Sequence, residues 1–213
     1  MDLLQNIDCD YYIKELEDKY HKKYNVFCIN KNIPINKEII KEMEKYNYVE
    51  FGNEFNQSVN NLPTGLKSLT FGWKFNQPVN NLPIGLKSLT FSWQFNQLVD
   101  FLPIGLENLI FSSDFNQCVD NLPTGLKIIR FGEYFNQPVD NLPLGLQNLR
   151  FGWAFNQPVN NLPLGLQTIT FGEKFNQEVD KLPTRLQNLN IDKQYNKPLD
   201  KLSASLNINR VYY

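Results

Sequence analysis

Apolar residues recur along this chain with a period of twenty residues, from Phe51 almost to the C-terminus. In one copy of the pattern they are Phe71, Phe75, Val79, Leu82, Leu86 and Leu89. Pro78 and Pro83 exclude one long helix over this copy, because proline inside a helix costs about 3 kcal/mol. Only Leu89-Thr90-Phe91 alternates, so each copy predicts one short strand, with turns and extended backbone around six inward-facing side chains.

Eight copies of this unit follow one another, and no copy is longer or shorter than its neighbours. They begin at Phe51, Phe71, Phe91, Phe111, Phe131, Phe151, Phe171 and Ile191. Six buried side chains do not offset the conformational entropy lost when twenty residues are ordered, so one copy cannot fold alone. Stacked copies that share a core can do so, which is the logic of a solenoid. We therefore expect a parallel sheet of about nine short strands, near 47–51, 67–71 and onward.

An asparagine lies five residues after the start of every copy. The column comprises Asn56, Asn76, Asn96, Asn116, Asn136, Asn156, Asn176 and Asn196. An amide both donates and accepts hydrogen bonds, and stacking at about 4.8 Å lets such residues bond to one another and to turn backbone. A residue that recurs in every coil is structural rather than catalytic, so we expect a buried, hydrogen-bonded ladder. The glutamines that follow are expected to form a second ladder or a solvated row.

Glycine lies two residues after most of the repeated prolines, from Gly65 to Gly165. Arg185 and Ser205 replace it in the last two copies. A non-glycine residue in the left-handed region costs about 1–2 kcal/mol, so this position is not expected to require a positive φ.

The full unit FGxxFNQPVxNLPxGLxxLx resembles the FNIP repeat, a relative of the leucine-rich repeat, and its LPxGLxxLxF part is similar to the core of short leucine-rich repeats. The resemblance covers about Tyr48 to Arg210. Proteins of this kind occur in amoebae and in the large DNA viruses that infect them. The resemblance implies an intracellular protein-interaction scaffold without enzyme activity, in the host cytoplasm if the protein is viral. Many viral members begin with an F-box, which recruits a ubiquitin ligase.

Residues 1–46 are charged and aromatic and do not repeat. Asp10 is expected to cap a helix that runs to about Lys23, and residues 24–29 read as a strand or an extended packing segment. Asn36 is expected to cap a second helix that ends near Tyr46. The predicted fold is thus a β-dominated, right-handed, leucine-rich-repeat-like solenoid with a small, mostly α N-terminal cap.

This pattern divides the chain into an N-terminal capping segment, 1–46, and a solenoid of eight repeats, 47–213. The last repeat gains charged and polar residues and is expected to act as the C-terminal cap. Another interpretation makes residues 1–46 a docking segment like the F-box. The segment lacks a Leu-Pro-x-Glu opening and has only two convincing helices, which weakens that interpretation.

Composition narrows the function classes. The repeats from residue 47 onward carry 13 basic and 13 acidic residues, which argues against nucleic acid as a partner. No apolar run is long enough to span a membrane, and the acidic start predicts no secretory signal. Three scattered cysteines suit a reducing compartment. The single histidine, His21, and the absence of phosphate-loop or metal motifs predict no catalytic residues, no metal and no cofactor.

Candidate binding residues come from repeat positions that vary. In each predicted strand, the residues on either side of the inner apolar one point outward. All three tryptophans fall in another variable column, two residues past the strands. Because Trp and Arg are enriched in binding hot spots, the predicted partner site comprises Trp73, Trp93, Ile110, Ile128, Arg130, Arg150 and Trp153. The alternative is that each Trp only packs on its neighbouring turn.

Three functions therefore remain open. The first is a non-enzymatic scaffold that binds a protein partner on the strand face and the Trp column. The second is substrate recognition for a ubiquitin ligase through a divergent N-terminal segment. The third is a glycan-binding module, because rows of exposed Trp also stack on sugar rings. The central Ile and Arg residues favour the protein partner.

Overall fold

The computed structural model describes residues 11–17 and 23–212. These residues form one eleven-stranded sheet whose strands follow one another in chain order. The strands are β1 Tyr11–Glu17, β2 Lys23–Ile29, β3 Tyr48–Phe51, β4 Ser68–Thr70, β5 Ser88–Thr90, β6 Asn108–Ile110, β7 Ile128–Arg130, β8 Asn148–Arg150, β9 Thr168–Thr170, β10 Asn188–Asp192 and β11 Asn207–Val211. The one helix of these residues is α1, Lys37–Met43.

The nine strands from β3 to β11 are parallel, which confirms the expected sheet. Neighbouring strands pair with a register of twenty residues, as in Ser68 with Ser88. In each three-residue strand the central side chain is buried, while the two flanking side chains remain on the outer face. The rest of each coil returns through turns, such as those closed by Phe75 N–H on Gly72 O and by Leu86 N–H on Pro83 O.

The six inward columns predicted from the repeat form the core. In the copy that starts at Phe71, every one of these side chains is at most 8% exposed. The two phenylalanines of each coil stack on each other, and on those of the next coil. Phe131 and Phe135 have ring centroids 3.8 Å apart, and Phe135 lies 6.1 Å from Phe155 in the next coil. The core therefore extends through the stacked coils as two columns of aromatic side chains and four columns of aliphatic side chains.

The asparagine column is a hydrogen-bonded ladder, as predicted, but it is not buried. From Asn56 to Asn156, each Oδ1 accepts the backbone N–H of the asparagine one coil later, as Asn136 does from Asn156 at 2.9 Å. Asn56 and Asn136 are half-buried, whereas Asn116 is exposed. The expectation of burial was wrong. The backbone N–H groups that donate to these asparagine side chains lie on the surface of the coils, so each side-chain amide replaces water there and does not fill the core.

The members of the ladder also differ from the prediction. Asn32, in the N-terminal segment, starts it by accepting the N–H of Asn56 and the side chain of Gln57. Asn196 takes no part in it, since the last bond is from Asn176 N–H to Asn156. The glutamines make no separate row, because each donates Nε2 to the preceding asparagine, as Gln77 does to Asn56 at 3.1 Å.

The glycines that follow the leucine-proline pairs behave as expected, since no glycine of the chain has a positive φ. A second glycine column, two residues past the end of strands β4, β7, β8 and β9, is the constrained one. A Cβ on Gly152 would lie 2.0 Å from Gly132 O, while one on Gly145 would have ordinary contacts at 3.6 Å. Backbones of neighbouring coils therefore touch at this edge. Where Ser112 occupies the column, its hydroxyl donates to Phe95 O at 2.6 Å.

The N-terminal region departs from the prediction at its first element. Tyr11–Glu17 is a strand, β1, paired antiparallel with β2, so the helix expected from Asp10 was wrong over these residues. Residues 18–22 and Asp10 lie outside the described part. The sequence Tyr-Tyr-Ile suits a strand as well as a helix face, so pairing with the neighbouring strand β2 determines which of the two forms.

Two further N-terminal predictions are confirmed, although the helix after Asn36 ends at Met43 rather than near Tyr46. Residues 24–29 fall within β2, which pairs parallel with β3. Asn36 caps α1 by accepting Ile39 N–H at 2.9 Å. Ile39 and Met43 are 6% and 0% exposed and belong to the same core as the repeats. The sheet and the core thus continue across the expected boundary at residue 46.

The final coil is one residue shorter than the others. Asn207 pairs with Asn188, a register of nineteen residues instead of twenty. Only one residue separates Leu206 from the inward Ile208, where earlier coils have two. The expectation that no copy is shorter was therefore wrong for the last copy. Its sequence differs so much from the others that the missing residue is not apparent from the repeat pattern.

Candidate interaction site on the strand face

Two arginines stand side by side on the outer face of the sheet. Arg130 and Arg150 are register partners in β7 and β8, and both are exposed. Like charges placed opposite each other on a sheet are unfavourable. Among the described residues neither arginine has an ion-pair partner. Two unpaired guanidinium groups, each with five donors, are therefore free to bind a carboxylate.

The two isoleucines of the predicted site lie in different rows. Ile110 pairs with Arg130 and so extends the arginine row, whereas Ile128 pairs with Asn108 and Asn148 in the parallel row. Both side chains are half-buried rather than fully exposed. They supply the apolar part of the strand face beside the two cations.

Arg150 and Trp153 line one shallow depression of about 550 Å³. Its other lining residues are Glu133, Tyr134, Phe151 and Gly152. The depression forms because the chain turns after β8, so that the residues following this strand lie at the edge of the outer face of the sheet. We call it the Arg–Trp depression. It combines one cation, one carboxylate and two large aromatic side chains, of which Tyr134 is 49% and Trp153 42% exposed.

Trp153 is held from one side. The Nζ of Lys174, one coil later, lies 4.8 Å from the centroid of its ring and also 3.4 Å from Glu173. A cation over the face of Trp is attractive, by about 0.5–1 kcal/mol at exposed sites. This contact orients the indole, which remains 42% exposed.

The other two tryptophans form a separate pair. Trp73 and Trp93 are 58% and 49% exposed, with ring centroids 6.4 Å apart and planes tilted by 51°. Ser113 and Glu133 occupy the column between Trp93 and Trp153. The structure therefore brings Arg130, Arg150 and Trp153 together with Ile110, and leaves Trp73 and Trp93 as a second exposed feature.

A salt-bridge row borders the strand face at the start of the strands. Glu107 lies between Lys127 and Lys87, at 2.8 and 2.9 Å. Hydrogen bonds from Lys127 and then Lys87, together with their charges, lower the pKa of Glu107 to about 2. Glu107 therefore stays ionised at physiological pH. A second depression of about 510 Å³ is lined by Ser68, Lys67 and Lys87 among others, and its Lys87 is engaged in this row.

Sequence reasoning missed Tyr134 as a site residue. It also missed a set of exposed apolar side chains, at least 57% exposed, on the turns and the back of the coils: Ile84, Leu98, Phe101, Ile104, Leu144 and Leu164. The sequence could have identified these side chains, since they occupy variable repeat positions where other copies carry Thr, Pro or Asn. Across the described residues, no three His, Cys, Asp or Glu side chains are grouped to hold a metal ion.

Stacked coils of nearly constant length, each with one short parallel strand and a shared core, define a parallel β-solenoid repeat protein. The FNIP Repeat family model matches residues 75–114, 98–134 and 135–174. The chain belongs to the FNIP-repeat proteins. Repeats and folds of this type are typical of non-enzymatic interaction scaffolds.

One solved structure gives a neighbour for the fold. The chain is similar to the crystal structure of CroV588, "a novel circular LRR protein structure", with 33% identity and a TM-score of 0.80. The match covers 94% of this chain and 31% of that one, so the chain spans about a third of its length. No curated protein matches the sequence. In the described residues, no helix is long and apolar enough to cross a membrane.

Proposed function

We propose that this chain is a protein-interaction scaffold whose Arg–Trp depression, together with Arg130, binds an acidic and partly apolar peptide or protein surface. The observation that carries the proposal is the pair of exposed register-partner arginines without ion-pair partners among the described residues. The fold does not need arginine there, because Thr and Ile occupy the same strand position in other coils.

The composition of the depression favours a particular ligand chemistry. A carboxylate fits the guanidinium of Arg150, and an aromatic or aliphatic side chain fits against Tyr134 and Trp153. Glu133 also lines the depression, and its charge opposes a long acidic tract. The expected ligand therefore carries one or two acidic residues next to an apolar one.

A peptide-display selection on the purified protein tests this proposal. We expect enriched peptides with Asp or Glu beside an aromatic or aliphatic residue. Replacing Arg150 with Glu should weaken their binding at least tenfold, because a hydrogen bond to a charged group contributes about 1.5–3 kcal/mol. Arg130→Glu should act in the same direction, and Trp153→Ala should weaken binding as well.

Arg185→Glu is the matched control, since it makes the same change of charge on an exposed turn of another coil. It should bind as the parent does, and circular dichroism and unfolding midpoints should be unchanged in the three arginine variants. Enriched peptides that bind Arg130→Glu/Arg150→Glu as tightly as the parent would refute the strand-face site.

The Trp73–Trp93 pair supports a second candidate function, carbohydrate binding, because two exposed aromatic rings lie 6.4 Å apart. The tilt of 51° between their planes makes a poor platform for one flat sugar ring. Binding on a glycan array that is lost in Trp93→Ala, with no peptide enriched, would place this candidate first.

The proposed role of the N-terminal segment is a cap. Ile39 and Met43 are buried in the repeat core, and Asn32 supplies the first acceptor of the asparagine ladder. Such contacts are what the first coil needs to cover its exposed side.

A further inference from the structure

Trp73 and Trp93 form an exposed aromatic pair outside the Arg–Trp depression. They occupy the same turn position in successive coils, and their ring centroids lie 6.4 Å apart. Each side chain keeps about half of its surface exposed. Asn53 and Ser113 occupy this position in the coils on either side. The solenoid therefore does not require tryptophan there.

The turns that carry the pair have no net charge. The first three coils read GNE, GWK and SWQ at residues 52–54, 72–74 and 92–94. The two charged side chains in these turns neutralise each other, since Lys74 Nζ lies 2.5 Å from Glu54 Oε2. These turns thus offer no unpaired charge to a ligand, in contrast to the Arg–Trp depression with its Arg150.

Both indoles also have a free hydrogen-bond donor. An indole N–H donates and cannot accept. Within residues 23–212, neither the Trp73 nor the Trp93 side chain makes a hydrogen bond. Trp153 differs, because Lys174 Nζ lies over its ring. The pair therefore suits a neutral ligand that combines apolar rings with hydrogen-bond acceptors.

A polyproline II segment has these properties. It makes no internal hydrogen bonds, so its carbonyl oxygens remain available as acceptors, and its proline rings are apolar. At about 3.1 Å per residue, an X-Pro dipeptide spans about 6.2 Å, which is close to the 6.4 Å between the two ring centroids. Aromatic side chains bind such segments in a recurring mode of peptide recognition.

The tilt between the two indoles favours proline over a sugar. Their planes are inclined by 51°, so one flat ring cannot lie against both. A polyproline II helix has three residues per turn, and its successive side chains point in different directions. Two neighbouring residues of the ligand can therefore each meet one indole face.

We infer that the Trp73–Trp93 pair binds a proline-rich segment of a partner protein in the polyproline II conformation. The two residues of one X-Pro dipeptide pack on the two indoles, and the indole N–H groups donate to carbonyl oxygens of the segment. Trp153 lies three coils beyond Trp93, so this site is separate from the Arg–Trp depression. Neither site depends on the other.

Capped decaproline is the probe, and heteronuclear NMR of the full chain is the readout. The protein has three tryptophans and therefore three indole N–H signals, which single Trp-to-Phe variants assign. Decaproline should shift the signals of Trp73 and Trp93 and leave that of Trp153 unchanged. A capped Gly-Ser peptide of the same length is the control for flexible backbone, and it should shift none of them.

Trp73→Asn and Trp93→Ser test the two indoles with residues that neighbouring coils carry at the same position. Each should raise the dissociation constant for decaproline by about tenfold or more, because it removes an aromatic face and a donor. Trp153→Ser is the matched control and should bind as the parent does. Arg150→Glu should also leave decaproline binding unchanged, so this inference and the proposed function can fail independently.

Three results would overturn the inference: no shift of either indole signal up to about 1 mM decaproline, similar shifts of all three signals, or equal shifts with the Gly-Ser peptide. An unchanged dissociation constant in both Trp73→Asn and Trp93→Ser would do so as well. If cellohexaose shifts the same two signals and decaproline does not, the pair is a carbohydrate site instead.

Discussion

A single amide oxygen links each coil to the next. Asn136 Oδ1 accepts Asn156 N–H at 2.9 Å and Gln157 Nε2 at 3.2 Å, so one side chain satisfies two donors of the following coil. Glutamine has the weaker role, since Gln137 only donates to the preceding asparagine. The two columns look equivalent in the sequence, and their different roles follow from which atom faces the next coil.

This asymmetry predicts the effect of two neighbouring substitutions. Asn136→Ala leaves a backbone N–H without its acceptor and should lower the free energy of unfolding by about 1 kcal/mol. Gln137→Ala should cost less, because water can replace its amide at Asn116. Urea unfolding measures both. Asn196→Ala is the control, as Asn196 lies outside the ladder, and it should be neutral. Equal losses at residues 136 and 137 would contradict the assigned roles.

At the scale of the element, the distance between coils is set where backbones touch. Gly132, Gly152 and Gly172 succeed one another in the column past the strands, and a Cβ on any of them would lie within about 2.1 Å of a carbonyl oxygen. The glycines near the prolines are less restricted: a Cβ would meet nothing within 4 Å at Gly65 and ordinary contacts at 3.6 Å at Gly145, although it would lie 2.8 Å from Ile104 O at Gly125. Both columns read as turn glycines in the sequence, so only the packing distinguishes them.

Gly152→Ala should therefore destabilise the protein, whereas Gly145→Ala should not. The first substitution forces backbone apart, and overpacking of this kind costs about 1–3 kcal/mol. The second meets atoms only at 3.6 Å and has no positive φ, so reduced freedom of the unfolded chain should stabilise by about 0.4–1 kcal/mol. Thermal unfolding of the two variants compares them directly. A stable Gly152→Ala protein would show that coil spacing is adjustable.

The elements that sequence reasoning predicted correctly are those fixed by a repeated local pattern. Strands β3 to β10 and the burial of the six columns follow from spacing alone, as does the Asn36 cap from its position before Ile39. Strand β1 did not follow, because its pairing with β2 depends on partners six to eighteen residues away, which helical spacing does not reveal.

The sequence predicted part of the candidate site, namely the residues at variable outward positions of the repeat. Variable outward positions in the sequence marked Arg130 and Arg150, and the register makes them neighbours. Tyr134 escaped notice because its position, one past the Trp column, carries mostly polar or small residues in other copies. The turn after β7 carries Tyr134 and the turn after β8 carries Trp153, and the stacking of these two coils places both side chains in one depression.

At the scale of the whole molecule, the N-terminal segment and the repeats share one core and one sheet. Phe27 lies 5.5 Å from Tyr46 between ring centroids, and Met43 is fully buried. Solenoid stability is close to a sum of coil stabilities and nearest-neighbour interfaces, so an uncovered first coil weakens those that follow. The segment is therefore expected to unfold with the repeats rather than as a separate module.

Met43→Ala tests that expectation, because truncating a buried Met costs about 2–5 kcal/mol. All three tryptophans lie between residues 73 and 153, so fluorescence reports on the repeats alone. If the segment is a cap, the variant should lower the urea midpoint seen by fluorescence and by circular dichroism together. Ile40→Ala, on the half-buried side of the same helix, should lower it less. An unchanged fluorescence midpoint with an early loss in circular dichroism would instead indicate an independent module, which is the behaviour expected of a docking segment.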